Sequence, residues 1–307
     1  MKNTERFLSS DKKTQLLTYW YIPGEPKAVL RLCHGMSEYI GRAGYDNFAR
    51  FLCDNGIAVV AHDYIGHGGS SEKKDLGFFA DKDGYKYLLD DVYNVGIMAE
   101  EKLPGVKQML FGHSMGSLIA RMYLADNPGE VKKAVLMGTL GPIPVGKLAV
   151  FLASLITGLK GTRAYSELLY KLSFGSYLDR IENPSCEYDW LSTDALEVQK
   201  YADDELCGFR FTNSAMRDLI MIYEYVSRKD WAYKLDKDTP LLFVSGDEDP
   251  CGSYAKGVEI IHDRVKEAGV PSVLKLYKGM RHELLNEPVK EQVYADILSF
   301  IAENISQ

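Results

Sequence analysis

Gly112-His113-Ser114-Met115-Gly116 constrains this chain more than any other stretch. It reads G-x-S-x-G, with a run of strand character before it (107–111) and a helical run after it (117–124). A strand that turns into a helix within so few residues holds the serine in a strained conformation and presents its hydroxyl at the end of the strand. A side chain at 112 or 116 would collide with the neighbouring strand or helix, which glycine avoids. The N-terminus of the following helix favours negative charge developing at that point. The same five letters occur in ordinary turns. The strand before and the helix after favour a nucleophile.

The flanking sequence extends this unit into an alternation. Two short strands are expected within 5–22, ending at the turn signal Pro23-Gly24. Buried-strand runs follow at Ala28–Cys33, Ile57–Ala61 and Ala134–Gly138, with helical patterns at 41–55 and 83–102. This order predicts an α/β architecture, a mostly parallel sheet with helices on both faces. After Leu140 the alternation stops, and 141–236 holds helical patterns and no convincing strand. A strand returns at Pro240–Gly246, then a helix at about 252–268, a strand at Ser272–Tyr277 and a last helix at about 287–304. The simplest organisation is a sheet domain formed by 1–140 and 237–307, interrupted by a helical insertion at 141–236.

The 307 residues, 46% of them hydrophobic, suffice for one large core plus that insertion. A net charge of −7 without a basic stripe argues against nucleic acid as a partner. Met1-Lys2-Asn3-Thr4-Glu5-Arg6 leads into no apolar segment of the signal-peptide kind, and no apolar run approaches a membrane span. The five cysteines (Cys33, Cys53, Cys186, Cys207 and Cys251) are odd in number and never spaced C-x-x-C, which predicts reduced thiols in a cytoplasmic protein rather than disulfides or a zinc site. Within the insertion, Leu148, Phe151, Leu152, Leu155, Ile156 and Leu159 recur at helical spacing, and Lys147 is the single charge between Lys133 and Lys160. One reading is a helix packed on the domain beneath it. The other is an apolar lid over the active site that touches a membrane surface transiently. On that reading Leu148, Phe151 and Leu152 are expected to contact substrate.

A serine needs a base, and a histidine base needs a carboxylate to orient it. In sheets of this kind the chain order is serine, acid, histidine. Of six histidines only His262 and His282 follow Ser114. His262 falls inside a helical run and is expected on its solvated face. His282 falls in a loop after the last strand, where such sheets place function, and is expected to be the base. The carboxylate should follow the strand at 240–246, which leaves Asp247, Glu248 and Asp249 open. Two backbone N–H groups should hold the oxyanion: that of Met115, after the nucleophile, and that of Met36, in the loop that begins His34-Gly35-Met36. Gly35 is expected to let the backbone turn so that the Met36 N–H points inward. Gly35 and His113 are expected to border the substrate, and methionine at 36 and 115 would give an adaptable apolar wall.

These residues resemble the serine hydrolases of the α/β-hydrolase fold, in the branch that holds monoacylglycerol lipases, bacterial lysophospholipase-like esterases and some serine aminopeptidases. His34-Gly35-Met36-Ser37-Glu38 with Gly41-Arg42 is similar to that branch's H-G-x-x-E…G-R segment. Asp63-x-x-Gly66-His67-Gly68-x-Ser70 is similar to its D-x-x-G-H-G-x-S loop, and 112–116 to its elbow. The branch's G-x-x-D pattern implies that Asp249 is the carboxylate, and His282-Glu283 sits where the branch keeps its histidine. Some members carry a cysteine shortly after that aspartate, and Cys251 is near that place in another register.

The resemblance implies a helical cap at 141–236, no metal or cofactor, and hydrolysis of single-chain lipid esters, a monoacylglycerol or a lysophospholipid, through an acyl-enzyme on Ser114. An aminopeptidase or amidase with the same triad is the alternative, with Glu182, Glu187, Asp203, Asp204 and Glu205 as the acidic cluster that would hold a free amine. A non-catalytic binding member of the fold would be expected to show a damaged triad, and this one is intact.

Overall fold

The strands β3 (Ala28–Cys33), β4 (Ile57–His62), β6 (Ala134–Met137) and β7 (Leu241–Gly246) are buried along their whole length. A strand with no solvated face must be covered on both sides, and parallel sheets meet that need with crossover helices. The computed structural model, which describes residues 2–303, has this arrangement. With β1 (Lys2–Leu8), β2 (Gln15–Tyr21), β5 (Gln108–His113) and β8 (Ser272–Tyr277), the strands form one eight-stranded sheet in the order β1-β2-β4-β3-β5-β6-β7-β8. Strands β1 and β2 pair antiparallel at one edge, and β2 pairs antiparallel with β4. All the remaining pairs are parallel. This is the α/β-hydrolase sheet expected from the sequence.

Helices α1 (Ala43–Asp54) and α9 (Lys290–Ala302) cover one face, where Phe48 and Ile297 join Phe111, Val135 and Val244. Helices α2 (Gly84–Lys102), α3 (Met115–Asp126) and α8 (Lys256–Glu267) cover the other, where Val92, Leu118 and Val258 join Leu110, Leu136 and Phe243. Two details differ from the sequence expectation. Helix α8 starts at Lys256 rather than near 252, because Ser253, Tyr254 and Ala255 adopt left-handed φ values of 53°, 56° and 70°. His262 is not on a solvated face. It is half-buried, with its ring edge-on to Phe243 at 5.6 Å.

Between β6 and β7 the chain runs through α4 (Gly146–Lys160), α5 (Glu167–Phe174), α6 (Ala195–Asp203) and α7 (Asn213–Ser227). Both ends of this stretch meet one side chain. Arg121, fully buried on α3, donates to the carbonyls of Leu140 (3.1 Å) and Val226 (2.6 Å), and its guanidinium lies 4.5 Å from the Trp231 ring. A buried guanidinium without a carboxylate needs such acceptors.

His67, from the D-x-x-G-H-G-x-S loop, is buried among Phe79, Phe209 and Phe211, with ring centroids 5.2–5.8 Å away. Its Nδ1 meets the Ile65 carbonyl at 3.0 Å, and Nε2 has no partner. Burial pushes the imidazole down to about 4, from an ordinary 6.5. The folded state therefore resists a proton that the unfolded chain accepts. The stability at stake is intact above the ordinary value and is lost as pH falls towards about 4. His67→Phe keeps the ring packing and removes the titration. Wild type should lose stability relative to this variant by about 1.4 kcal/mol per pH unit between about pH 6 and pH 4. Urea unfolding curves whose free energies stay parallel across that range would contradict this.

Candidate active site

Ser114 sits between β5 and α3 with φ 52° and ψ −119°. That is left-handed backbone for a residue with a Cβ, and it costs on the order of 1–3 kcal/mol. The surroundings hold it there. The Ser114 N–H donates to Met137 O at 3.0 Å, and its carbonyl accepts from Ser117 N–H (2.9 Å), Ser117 Oγ (2.6 Å) and Leu118 N–H (3.2 Å). The glycines on either side are needed for space. A Cβ on Gly112 would overlap the Gly116 carbonyl, and one on Gly116 would overlap the carbonyl oxygens of Cys33 and His34 at the end of β3. The elbow helix is therefore pressed directly against the strand that leads into the 34–38 loop.

Asp249 and His282 come from the ends of β7 and β8. The His282 Nδ1 and Asp249 Oδ2 are 2.8 Å apart, and the other carboxylate oxygen accepts the Cys251 N–H at 2.8 Å. Both side chains are buried. Burial opposes charge on His282, but the Asp249 carboxylate outweighs it and raises the imidazole well above its ordinary value. Gly246 brings the two strand ends together, since a Cβ there would overlap the backbone oxygens of Met280 and Arg281. The His282 Nε2 has no protein partner, and His282 and Ser114 border the same cavity. The two are not hydrogen-bonded to each other in this state, and such bonds commonly form only with substrate bound. Asp247 instead accepts the Gly279 N–H at 2.6 Å and holds the turn after β8. Asp249, Cys251 and His282 have ligand atoms within 4.8 Å of one another, so a metal ion placed there would compete with the histidine–aspartate hydrogen bond. Burial pushes the Cys251 thiol up.

Met36 and Met115 border the same cavity. Met115 is the first residue of α3, so its N–H has no carbonyl one turn back to bond. Within the 34–38 loop the left-handed residue is Ser37 (φ 54°). Gly35 is a glycine because a Cβ there would overlap Glu38 Oε1 and crowd the His113 ring. Glu38 is the centre of a buried network. Its Oε1 accepts from Gly35 N–H (2.7 Å) and Tyr45 OH (2.6 Å) and lies 3.0 Å from His113 Nδ1. Arg42 pairs with Glu38 and bonds Glu283 through both terminal nitrogens, at 2.7 and 2.9 Å. Burial works against charge on Glu38, but the hydrogen bond from His113 and the Arg42 guanidinium hold its carboxyl well below the usual range.

The cavity above these groups has a volume of about 890 Å³. Leu148 and Leu152 of α4 and Met216 and Ile220 of α7 line its apolar part, and Met36, Met115 and His113 border it near Ser114. Phe151, expected beside them, is 61% exposed and lies outside the lining. On α4 the smaller residues, Ala153 and Thr157, face inwards, while Phe151, Leu155 and Leu159 face out. Six charged residues border the cavity: Glu38, Glu167, Glu187 and Glu283 against Lys171 and Arg210. Arg210 is paired with Glu167 at 2.5 Å. Of the acidic residues considered for holding an amine, only Glu187 reaches the cavity, and its carboxylate accepts from Tyr170 OH at 2.9 Å. Sequence reasoning gave no role to Trp190, whose ring lies 5.0 Å from that of His282. It falls in a stretch without periodicity, so no pattern marked it.

Known proteins resemble this chain in sequence and fold. Residues 24–289 match the family described as serine aminopeptidase, S33. The monoacylglycerol lipase of Mycolicibacterium smegmatis is 30% identical over 291 residues, covering 93% of this chain and 92% of that one. The monoglyceride lipase of Homo sapiens is 28% identical over 305 residues, covering 96% and 89%. Among solved structures, a thermostable carboxyl esterase from Bacillus coagulans in complex with glycerol matches with a TM-score of 0.93 at 26% identity, over 99% of both chains.

The elbow geometry makes a direct prediction. Gly116→Ala places a methyl group against the Cys33 and His34 carbonyls and pushes α3 away from β3, carrying the Met115 amide with it. Ester hydrolysis should fall by about 100-fold or more, since a shift of about 1 Å at a reacting centre has that effect. Hydrolysis of p-nitrophenyl butyrate within about three-fold of wild type would show that the contact does not position the site.

Proposed function

The chain belongs to the serine aminopeptidase S33 family and is a carboxylic ester hydrolase of the monoacylglycerol lipase type, and from that premise we propose that it cleaves uncharged single-chain lipid esters through an acyl-enzyme on Ser114. Ser114 Oγ attacks the ester carbonyl as His282 Nε2 takes its proton, and Asp249 holds the imidazolium. The N–H groups of Met36 and Met115 receive the oxyanion. Collapse expels the alcohol, which takes the proton from His282. Water then attacks the acyl-enzyme with His282 again as base and releases the fatty acid. No step calls for a metal or cofactor.

The cavity carries the choice of substrate. Its long apolar part, between α4 and α7, suits one acyl chain. Around it four carboxylates face two cations, and the two charged residues that share the lining with Ser114 and belong to the buried network, Glu38 and Glu283, are both acidic. A phosphate there would meet two carboxylates and a guanidinium already bonded to both, so that network leaves no cation free to hold it. This supports a monoacylglycerol over a lysophospholipid. We read 141–236 as a cap over the 1–140 and 237–307 core. The outward side chains of α4, with Leu168 and Leu172 of α5, form the face that would touch lipid. Among the described residues no helix is long and apolar enough to cross a membrane, so such contact would be interfacial.

Fatty acid release from a monoacylglycerol should exceed that from the lysophosphatidylcholine of the same acyl chain by about ten-fold or more, with Ser114→Ala as the inactive blank. Equal or reversed rates would refute the head-group assignment, and an active Ser114→Ala would refute the nucleophile. Separately, Phe151→Ser combined with Leu159→Ser should weaken binding to phosphatidylcholine vesicles by about ten-fold while leaving hydrolysis of a soluble butyrate ester unchanged. Unaltered vesicle sedimentation would remove the membrane contact.

A further inference from the structure

The loop that carries His282 is fastened to a short segment lying between α5 and α6. Arg281 Nη1 donates to the carbonyls of Asp189 (2.6 Å) and Ser192 (3.0 Å), and the Glu283 N–H donates to Leu191 O (2.7 Å). Glu287 accepts the Thr193 N–H at 3.0 Å and its hydroxyl at 2.5 Å. The neighbours of His282 on both sides are thus bonded to the neighbours of Trp190 on both sides. The result is a ring contact. The indole and imidazole centroids are 5.0 Å apart at 48°, and both rings border the cavity beside Ser114. Tyr177 stands edge-on to the other partner of this contact, 4.8 Å from the Trp190 ring at 68°. Tyr177, Trp190, Cys251 and His282 all border the same cavity.

We propose that Trp190 is a positioning residue for the catalytic base: the indole fixes the plane of the His282 ring towards Ser114 and stabilises the imidazolium formed at each proton transfer. This rests on the triad reading above. An imidazolium in a closed site gains from every group that favours a cation. Asp249 serves its Nδ1 edge. Of the two aromatic rings that meet His282, His113 at 4.9 Å and Trp190, the indole is the one whose face attracts a cation. The other titratable or charged groups around the ring are the Cys251 thiol, Tyr177, Glu38 and Arg42 behind His113, and Arg281 and Glu283 along its own loop. Among the described residues none of these makes a ring contact with the imidazole. The bonds at 281, 283 and 287 use no atom of the side chain at 190, so they survive a change there. That separates the contribution of the ring from that of the segment.

The test uses the full chain, with p-nitrophenyl butyrate kinetics across pH and fluorophosphonate labelling of Ser114. Trp190→Leu should lower kcat about ten-fold with KM within about two-fold, and should move the acid limb of kcat/KM to lower pH because the base is weakened. Labelling of Ser114 should slow in parallel. Trp190→Phe, which restores an aromatic face, should recover most of the loss. Trp190→Met fills the space without a ring and stands in where leucine disturbs folding. A loss in KM alone, an unshifted acid limb, or equal damage from leucine and phenylalanine would overturn the proposal and leave the triad standing. Failure of the fluorophosphonate to label wild-type Ser114 would remove the triad reading and this proposal with it.

Discussion

The approach of α3 to the end of β3 is the contact on which the site depends. Met36 lies on the loop after β3 and Met115 on the helix after β5, two segments distant in sequence. They converge because Gly116 leaves nothing between the helix backbone and the carbonyls of Cys33 and His34. Parallel pairing of β3 with β5, Cys33 opposite Gly112, sets the height at which they meet. Packing on the two covered faces of the sheet fixes that register, because a one-residue slip would move every side chain to the opposite face and against different helices. The chemistry at the surface of the sheet is therefore as well ordered as the core beneath it.

A second constraint acts across the sheet rather than along it. The loops after β3 and β8 are separated by three intervening strands, yet Glu38, Arg42 and Glu283 join them directly. Burying three charges is costly, and the hydrogen bonds from Gly35, Tyr45 and Asn286 offset that cost by satisfying the remaining oxygens. Such a network adds little net stability, but it allows few arrangements of its members. The segment before Met36 and the residue after His282 cannot shift independently of each other.

Much of this could be read from the sequence where function is tied to local backbone. The elbow could be found because strand, turn and helix occur within a dozen residues, and His282 because chain order left few histidines to choose from. Asp249 could not be separated from Asp247 and Glu248 by spacing alone. The family resemblance pointed to it, and in the fold Asp247 turns away to the Gly279 amide. Gly35 drew notice as a residue that lets the backbone turn, and in the fold a Cβ there would also overlap Glu38 Oε1, a contact with no trace in the sequence. His262 lay on an amphipathic helix whose inner face reaches further round than the period suggested. Phe151 was misplaced for a related reason: on α4 the large side chains face outwards and alanine and threonine face in, so hydrophobicity did not mark the packed side. Trp190 left no trace in any pattern, because its position is set by hydrogen bonds between loops distant in sequence.

Arg121 has a consequence for how such a chain can change over generations. By gripping the carbonyls of Leu140 and Val226 it ties the segment just after β6 to the end of α7. It also stands on the helix that begins at the nucleophile. Helices between those points can lengthen, shorten or be exchanged without disturbing Ser114, so substrate preference can drift while the reacting groups stay in place. The freedom is incomplete. Whatever replaces the stretch must still supply carbonyls for Arg281 and Glu283 to bind, and that requirement falls on the backbone of a few residues around 189–193 rather than on their identity. Variation there is limited by where the backbone runs and only weakly by sequence, a division that would let close relatives share a mechanism while differing in most of the residues that surround their substrates.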